Sequence, residues 1–110
     1  MQHVDATTAD ETIAAAEGIV LVDISAEWCA PCRMLEPVIE QLAAETPDLT
    51  VVCLDVDAAP ELPRRYDVMS FPTLLFFVDG QLVHRLVGAR GLASLREEIA
   101  RVRTAVPSSP

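Results

Sequence analysis

The feature that most constrains the fold of this chain is a pair of cysteines, Cys29 and Cys32, placed between an apolar run and a helical pattern. The run Ile19–Ile24 is apolar and rich in β-branched residues except for Asp23, as in a buried central strand. A helical pattern starts near Arg33. A helix N-terminus presents free backbone N–H groups and a partial positive charge, which stabilise a thiolate and lower its pKa. Because two intervening residues let the second sulfur reach the first, the spacing predicts a redox-active dithiol.

Length and composition predict one folded domain. The 110 residues are 51% apolar and 23% charged, which is enough for a single core and excludes a disordered chain. We expect the domain to span residues 1–106, with residues 107–110 as a flexible tail. The net charge of −9 argues against nucleic acid or an anionic membrane as a partner, since both would repel the chain.

The cysteines and the N-terminus predict a cytoplasmic protein. No run approaches the roughly 20 apolar residues that cross a bilayer. The first residues lack the basic and apolar regions of a signal peptide. A chain with this apolar content needs no disulfides for stability, so the close cysteine pair is expected to be catalytic and to work where thiols are kept reduced.

Hydrophobic periodicity and breakers predict alternating strands and helices. Thr8 and Glu11 form a candidate capping box for a first helix that Gly18 ends. A helix follows the cysteines, with Pro37 inside it as a kink. Its apolar residues at helical spacing are Met34, Leu35, Val38, Ile39 and Leu42. The other predicted elements are strands at 1–5, 19–25, 49–56, 73–78 and 81–87, and helices at 59–66 and 92–104. The order predicts an α/β fold, a mixed sheet with helices on both faces.

Nearly the whole chain, residues 2–105, resembles the thioredoxin family. The shared motifs, in the family's order and spacing, are Val22-Asp23, Glu27 to Arg33, Pro37, Phe71-Pro72-Thr73, Asp79-Gly80 and Val87-Gly88-Ala89. The resemblance implies the thioredoxin fold, a central mixed five-stranded sheet flanked by four helices. It also implies a monomeric protein-disulfide reductase that passes electrons to oxidised proteins and is re-reduced by thioredoxin reductase.

The resemblance assigns the chemistry to three residues. Cys29, expected to be the more exposed cysteine, is the nucleophile that attacks a substrate disulfide, and Cys32 resolves the mixed disulfide. Asp23 lies buried behind Cys32, where desolvation raises its pKa and lets it accept the proton of Cys32. The family often has a lysine opposite this aspartate, at the position of Cys53 here. We therefore expect the pKa of Asp23 to exceed that of a typical family member, and Cys53 to be a small core residue.

The same resemblance implies a substrate groove around the dithiol. Its residues are Trp28, Ala30, Pro31, Phe71, Pro72, Gly88 and Ala89. The Phe71–Pro72 bond is expected to be cis, so that an extended substrate segment can bind to the backbone of residue 71. Ala30 stands where thioredoxins usually have glycine, and residues between the cysteines tune the reduction potential.

Other interpretations of the cysteines stay open at this point. Half of a zinc site would need ligands from Cys53, His3 and His84, none of which lies in a paired motif, so no metal is expected. The histidines are expected at the surface. No bound cofactor is expected, and NADPH and FAD would act only through the reductase. The rival functions are an oxidant or isomerase, favoured if Ala30 raises the potential, and a binding module that uses the fold without redox chemistry.

Overall fold

The computed structural model describes residues 2–105. Its elements, in chain order, are β1 (Gln2–His3), α1 (Ala6–Ala15), β2 (Ile19–Ser25), α2 (Ala30–Glu45), β3 (Leu49–Asp55), α3 (Glu61–Arg65), β4 (Thr73–Val78), β5 (Gln81–Val87) and α4 (Leu92–Ala105). The expected tail at 107–110 lies outside the described residues. Among the described helices, none is both long and apolar enough to span a membrane.

The strands form one mixed sheet in the order β1-β3-β2-β4-β5. The central strand β2 pairs in parallel with β3 and antiparallel with β4. Four strands have six or seven residues, whereas β1 has only two and extends the β3 edge. The predicted mixed sheet with four helices is confirmed.

The helices cover both faces of the sheet because β2 and β3 are apolar on both sides. Side chains alternate between the faces of a strand. In β2, Leu21 points to the layer that contains α2 and α4, whereas Val20 and Val22 point to the layer that contains α1 and α3. Asp23 is two residues beyond Leu21, so alternation places its side chain on the α2 side, close to where that helix begins.

Two predicted helix starts were wrong. Helix α1 begins at Ala6 because Asp5, not Thr8, is its N-cap, with Asp5 Oδ1 accepting a hydrogen bond from Thr8 N at 2.8 Å. A carboxylate is an effective N-cap, and this cap adds three residues, 6–8, to the start of the helix. Helix α2 begins at Ala30 rather than near Arg33, so both residues between the cysteines belong to its first turn.

Two predicted side-chain environments also differ. Met34 is 74% exposed because the buried face of α2 is formed by Cys32, Leu35, Ile39 and Leu42, to which Met34 does not belong. His84 is half-buried rather than at the surface, because its Nε2 lies 2.5 Å from an Oε of the buried Glu98.

Gly18 should be required at the turn into β2. Its φ is +81°, and an added Cβ would lie 2.4 Å from the carbonyl oxygen of Asp48, which accepts the N–H of Ile19. We expect Gly18→Ala to lower the free energy of unfolding by about 2 kcal/mol or more in urea denaturation. Gly80 has a similar φ, but an added Cβ would meet no neighbouring atom, so Gly80→Ala should lower the free energy of unfolding by only about 1 kcal/mol. Gly91→Ala, without that φ or a close neighbour, is the matched control, and a Gly18→Ala loss no larger than the control's would contradict the prediction.

Candidate active site

The two cysteines lie at the N-terminus of α2 and are joined by a disulfide, with their Cα atoms 5.3 Å apart. Cys29 is the N-cap, and its Sγ accepts a hydrogen bond from the backbone N–H of Cys32 at 3.3 Å. The sulfur therefore lies at the positive end of the helix dipole, where a thiolate is stabilised. Cys29 was expected to be the more exposed cysteine, but the two residues are 6% and 5% exposed and are therefore almost equally buried. Chain order and position, not exposure, distinguish them.

Asp23 is a buried carboxyl group at the same end of the sheet, with 2% of its surface exposed. The sheet register places Cys53 directly opposite it, and the Cys53 thiol donates to Asp23 Oδ2 over 3.7 Å. The other oxygen, Oδ1, is buried without a hydrogen-bond partner among the described residues. Burial raises the pKa of Asp23 to about 6, although the Cys53 hydrogen bond lowers it in part. Burial and the nearby carboxylate also raise the pKa of the Cys53 thiol, so this thiol stays protonated at neutral pH.

No lysine can neutralise Asp23 from within this chain. All eight basic residues of the sequence are arginines. Arg33, which follows the second cysteine, donates to the carbonyl oxygen of Glu27 at 2.9 Å. This contact ties the start of α2 to the loop before the cysteines. Whether the pKa of Asp23 exceeds that of typical relatives stays a prediction.

The loop before β4 also contacts the cysteine pair. The Phe71–Pro72 peptide bond is cis, and the carbonyl oxygen of Phe71 lies 3.8 Å from Cys29 Sγ. Thr73 Oγ1 donates to the Ser70 carbonyl at 2.7 Å and the Gly88 N–H donates to the Pro72 carbonyl at 2.8 Å. These bonds attach the loop to the ends of β4 and β5.

The groove residues named from sequence meet at this loop. Trp28 is 64% exposed and packs edge-on against Phe71, with ring centroids 5.9 Å apart. It is therefore not the ordinary core tryptophan that composition alone allows. Ala30 and Pro31 are exposed in the first turn of α2. Pro72 is buried, Gly88 is half-buried and Ala89 is exposed at the rim.

A cavity of about 810 Å³ opens on the side of the dithiol away from the groove at Phe71–Pro72. It is lined by Cys32, Asp23 and Cys53, and by His3 and Glu36, whose Nε2 and Oε1 atoms lie 3.7 Å apart. Sequence reasoning missed Glu36 and assigned no role to His3. The spacing contained a signal for Glu36, because a residue four positions after Cys32 lies on the same helix face. Nothing in the pattern placed His3, because β1 reaches this site only through pairing with β3.

The zinc interpretation finds no support in the part of the chain that the structure describes. Over residues 2–105, no three or more His, Cys, Asp or Glu side chains form a group able to bind a metal ion. His84, in β5, instead contacts Glu98 of α4.

Comparisons with known proteins agree with this geometry. A family model described as thioredoxin matches residues 1–101. The chain is 54% identical over 84 residues to a thioredoxin of Mycobacterium bovis, which covers 76% of this chain and 72% of that protein. The chain belongs to the thioredoxin family. A thioredoxin of Chlamydia trachomatis is 48% identical over 86 residues, covering 78% of this chain and 84% of that protein.

The fold comparison extends the relationship to solved structures. The X-ray structure of Fasciola hepatica thioredoxin superposes with a TM-score of 0.84 at 36% identity, covering 92% of this chain and 98% of that one. Thioredoxins are thiol-disulfide oxidoreductases that use their own pair of cysteines. Membership of the family therefore makes this chain a protein-disulfide reductase.

Proposed function

We propose that Cys29 is the nucleophile, Cys32 the resolving thiol and Asp23 the proton acceptor of this reductase. The observation that carries the assignment is the different surroundings of the two sulfurs. Cys29 Sγ accepts from the first turn of α2 and lies 3.8 Å from the Phe71 carbonyl, whereas Cys32 lines the cavity that holds Asp23. These surroundings support a thiolate at Cys29 that faces the groove and a base on the side of Cys32.

The reaction is a pair of thiol–disulfide exchanges. The Cys29 thiolate attacks one sulfur of a substrate disulfide, forming a mixed disulfide and releasing the other substrate sulfur as a thiolate. Asp23 takes the proton of Cys32, whose thiolate then attacks Cys29 Sγ. The Cys29–Cys32 disulfide forms, the second substrate thiolate leaves, and two electrons have passed to the substrate. A carboxyl group with a pKa of about 6 suits this transfer, because it is mostly ionised at neutral pH yet more basic than an exposed aspartate.

The groove is proposed to bind an extended segment of the oxidised substrate. The carbonyl of Phe71 offers a backbone acceptor beside Cys29, and an added strand uses such main-chain groups for affinity. Trp28, Phe71, Ala30 and Pro31 would contact the flanking side chains of the substrate, with Pro72, Gly88 and Ala89 as the opposite wall. This surface is neutral and partly apolar although the chain as a whole is acidic.

The electron donor is proposed to be a thioredoxin reductase, a flavoprotein that draws on NADPH, as is general for the family. The cysteine pair itself would be the redox group, with no resident cofactor. We further propose that the domain extends over residues 1–106, that it acts as a monomer, and that it works in the cytoplasm.

A coupled assay tests the proposed function. With thioredoxin reductase, NADPH and a protein disulfide such as insulin, we expect continuous NADPH oxidation that depends on this chain. Equilibration with glutathione of known ratio should give a potential below about −230 mV, as for a reductant. A higher potential with isomerase activity would favour the oxidant interpretation, and no turnover with an intact dithiol would favour a binding module.

A further inference from the structure

We propose that the cavity beside Asp23 binds a lysine side chain of a partner protein, which supplies a positive charge that this chain lacks there. The cavity holds about 810 Å³ and lies where β1, β3 and the start of α2 meet. The groove at Phe71–Pro72 lies on the β4 side of the same dithiol. The two openings therefore flank the cysteines, and a docked protein can reach both.

The lining of the cavity is strongly acidic. Its carboxyl side chains are Asp5, Asp23, Glu27, Glu36 and Asp55. Among the described residues, Arg33 is the one arginine on its wall, and the guanidinium donates to the Glu27 carbonyl. His3 lies near Glu36 at the exposed mouth. The field inside the cavity thus favours a cation.

Asp23 gives this acidic cavity a buried carboxyl group that lacks a strong hydrogen-bond donor. The residue is 2% exposed and belongs to the cavity lining, and its Oδ1 has no hydrogen-bond partner among residues 2–105. The other oxygen receives only the weak S–H donor of Cys53. Burying a carboxylate without a strong hydrogen-bond donor destabilises the folded protein. A charged donor that hydrogen-bonds to it therefore offsets a large part of that free-energy cost.

The shape of the cavity favours lysine over a rigid planar cation. Lysine carries a compact charge on a flexible four-carbon stem, and such stems lie well along apolar surface. Val4, Ala26 and Ala58 line the cavity and can contact the methylene groups. The ammonium group can then donate to Asp23 while the acidic mouth surrounds the stem.

Binding of the ammonium group and ionisation of Asp23 must be linked. A cation that prefers the ionised carboxylate lowers its pKa, and deprotonation strengthens cation binding by the same factor. The consequence for catalysis rests on the proposed role of Asp23 as proton acceptor. Binding itself can be measured on the oxidised protein without turnover, so failure of the binding site leaves the proposed function standing.

The first test is an NMR titration of the oxidised protein with n-butylammonium, a mimic of the lysine side chain. We expect saturable shifts at Asp23, Cys53 and Glu36 at pH 8, and affinity reduced about tenfold at pH 5, where Asp23 is mostly protonated. Asp23→Asn should weaken binding about tenfold or more. Asp79→Asn is the matched control, because Asp79 is an exposed hairpin carboxylate outside the cavity, and it should leave the affinity unchanged. Butan-1-ol should bind no better to the native protein than to Asp23→Asn.

Two results would overturn the site. One is the absence of saturable shifts with n-butylammonium, and the other is equal affinity in the native and Asp23→Asn proteins. Cys53→Lys gives an independent readout, because an ammonium group already opposite Asp23 should abolish binding of the probe.

The partner's lysine is tested with tethered peptides. In Cys32→Ser, mixed disulfides at Cys29 are formed with cysteine peptides that carry lysine, or norleucine in its place, at successive positions. We expect at least one lysine position to favour the adduct about threefold over its norleucine match and to shift the Cys53 and Glu36 resonances. If every lysine peptide matches its norleucine counterpart, a partner lysine does not enter the cavity.

Discussion

Cys32→Ser is expected to accumulate a stable mixed disulfide with substrate and to lose turnover to below about one thousandth of the native rate. Cys29 Sγ keeps its place at the N-cap of α2, so the first exchange can still occur. The second exchange cannot, because serine offers no thiolate to attack Cys29. Mass spectrometry of the adduct and the NADPH-coupled assay measure the two effects separately.

Cys29→Ser is the matched partner of this variant. It removes the thiolate at the helix N-terminus and leaves Cys32 on the side of the cavity, so turnover should be lost without a substrate adduct. Peptide mapping is needed because Cys53 is a third thiol, although its burial makes it unreactive. An adduct on Cys32 in Cys29→Ser, at a yield equal to that on Cys29 in Cys32→Ser, would reverse the assigned roles.

The sequence did not reveal that the two sulfurs differ in position and not in exposure. The resemblance indicated a more exposed Cys29, yet both cysteines are almost equally buried. Chain order fixed Cys29 as the residue before the helix, and that position decides which sulfur meets the helix N-terminus. Exposure depends instead on the loop at Phe71, which is 42 residues away in the chain and packs over the pair.

The strands were predictable because their residues are apolar on both faces. Ile19–Ser25 and Thr73–Val78 have the bounds expected from the sequence. Helix starts were less predictable because two capping patterns overlap near the N-terminus. Both Asp5 and Thr8 are residue types that cap helices well, and in the structure Asp5 is the cap and Thr8 lies inside the first turn.

The cavity and its acidic lining are the part of the site that periodicity could not reveal. The resemblance to the thioredoxin family placed Cys53 opposite Asp23, and the register confirms that pairing. His3 comes from a two-residue edge strand, and Glu36 comes from the second turn of α2, on the face of Cys32. Helical spacing can place Glu36 on the face of Cys32, whereas His3 reaches the site only through the pairing of β1 with β3, which local sequence patterns do not contain.

Asp23→Asn is expected to raise the free energy of unfolding by about 3 kcal/mol at pH 8. Burial raises the pKa of Asp23 from 3.8 to about 6, so the folded protein favours the protonated carboxyl group. The stability that the protonated group contributes is fully present below pH 3.8 and is lost as the pH rises through 6. Above that pH the native protein carries a buried charge, which asparagine does not.

The pH dependence separates this effect from a change in packing. Urea denaturation of the two oxidised proteins should give nearly equal stability near pH 3.8 and the full difference above pH 7, because every other carboxyl group is shared and cancels. A difference that stays constant over this range would show that Asp23 does not titrate as its burial requires. The same variant should slow release of the mixed disulfide at neutral pH, since no carboxylate then accepts the Cys32 proton. If Asp23 is a buried base, Asp23→Asn should be both more stable and slower in releasing the mixed disulfide. If Asp23 is purely structural, the substitution should change stability alone.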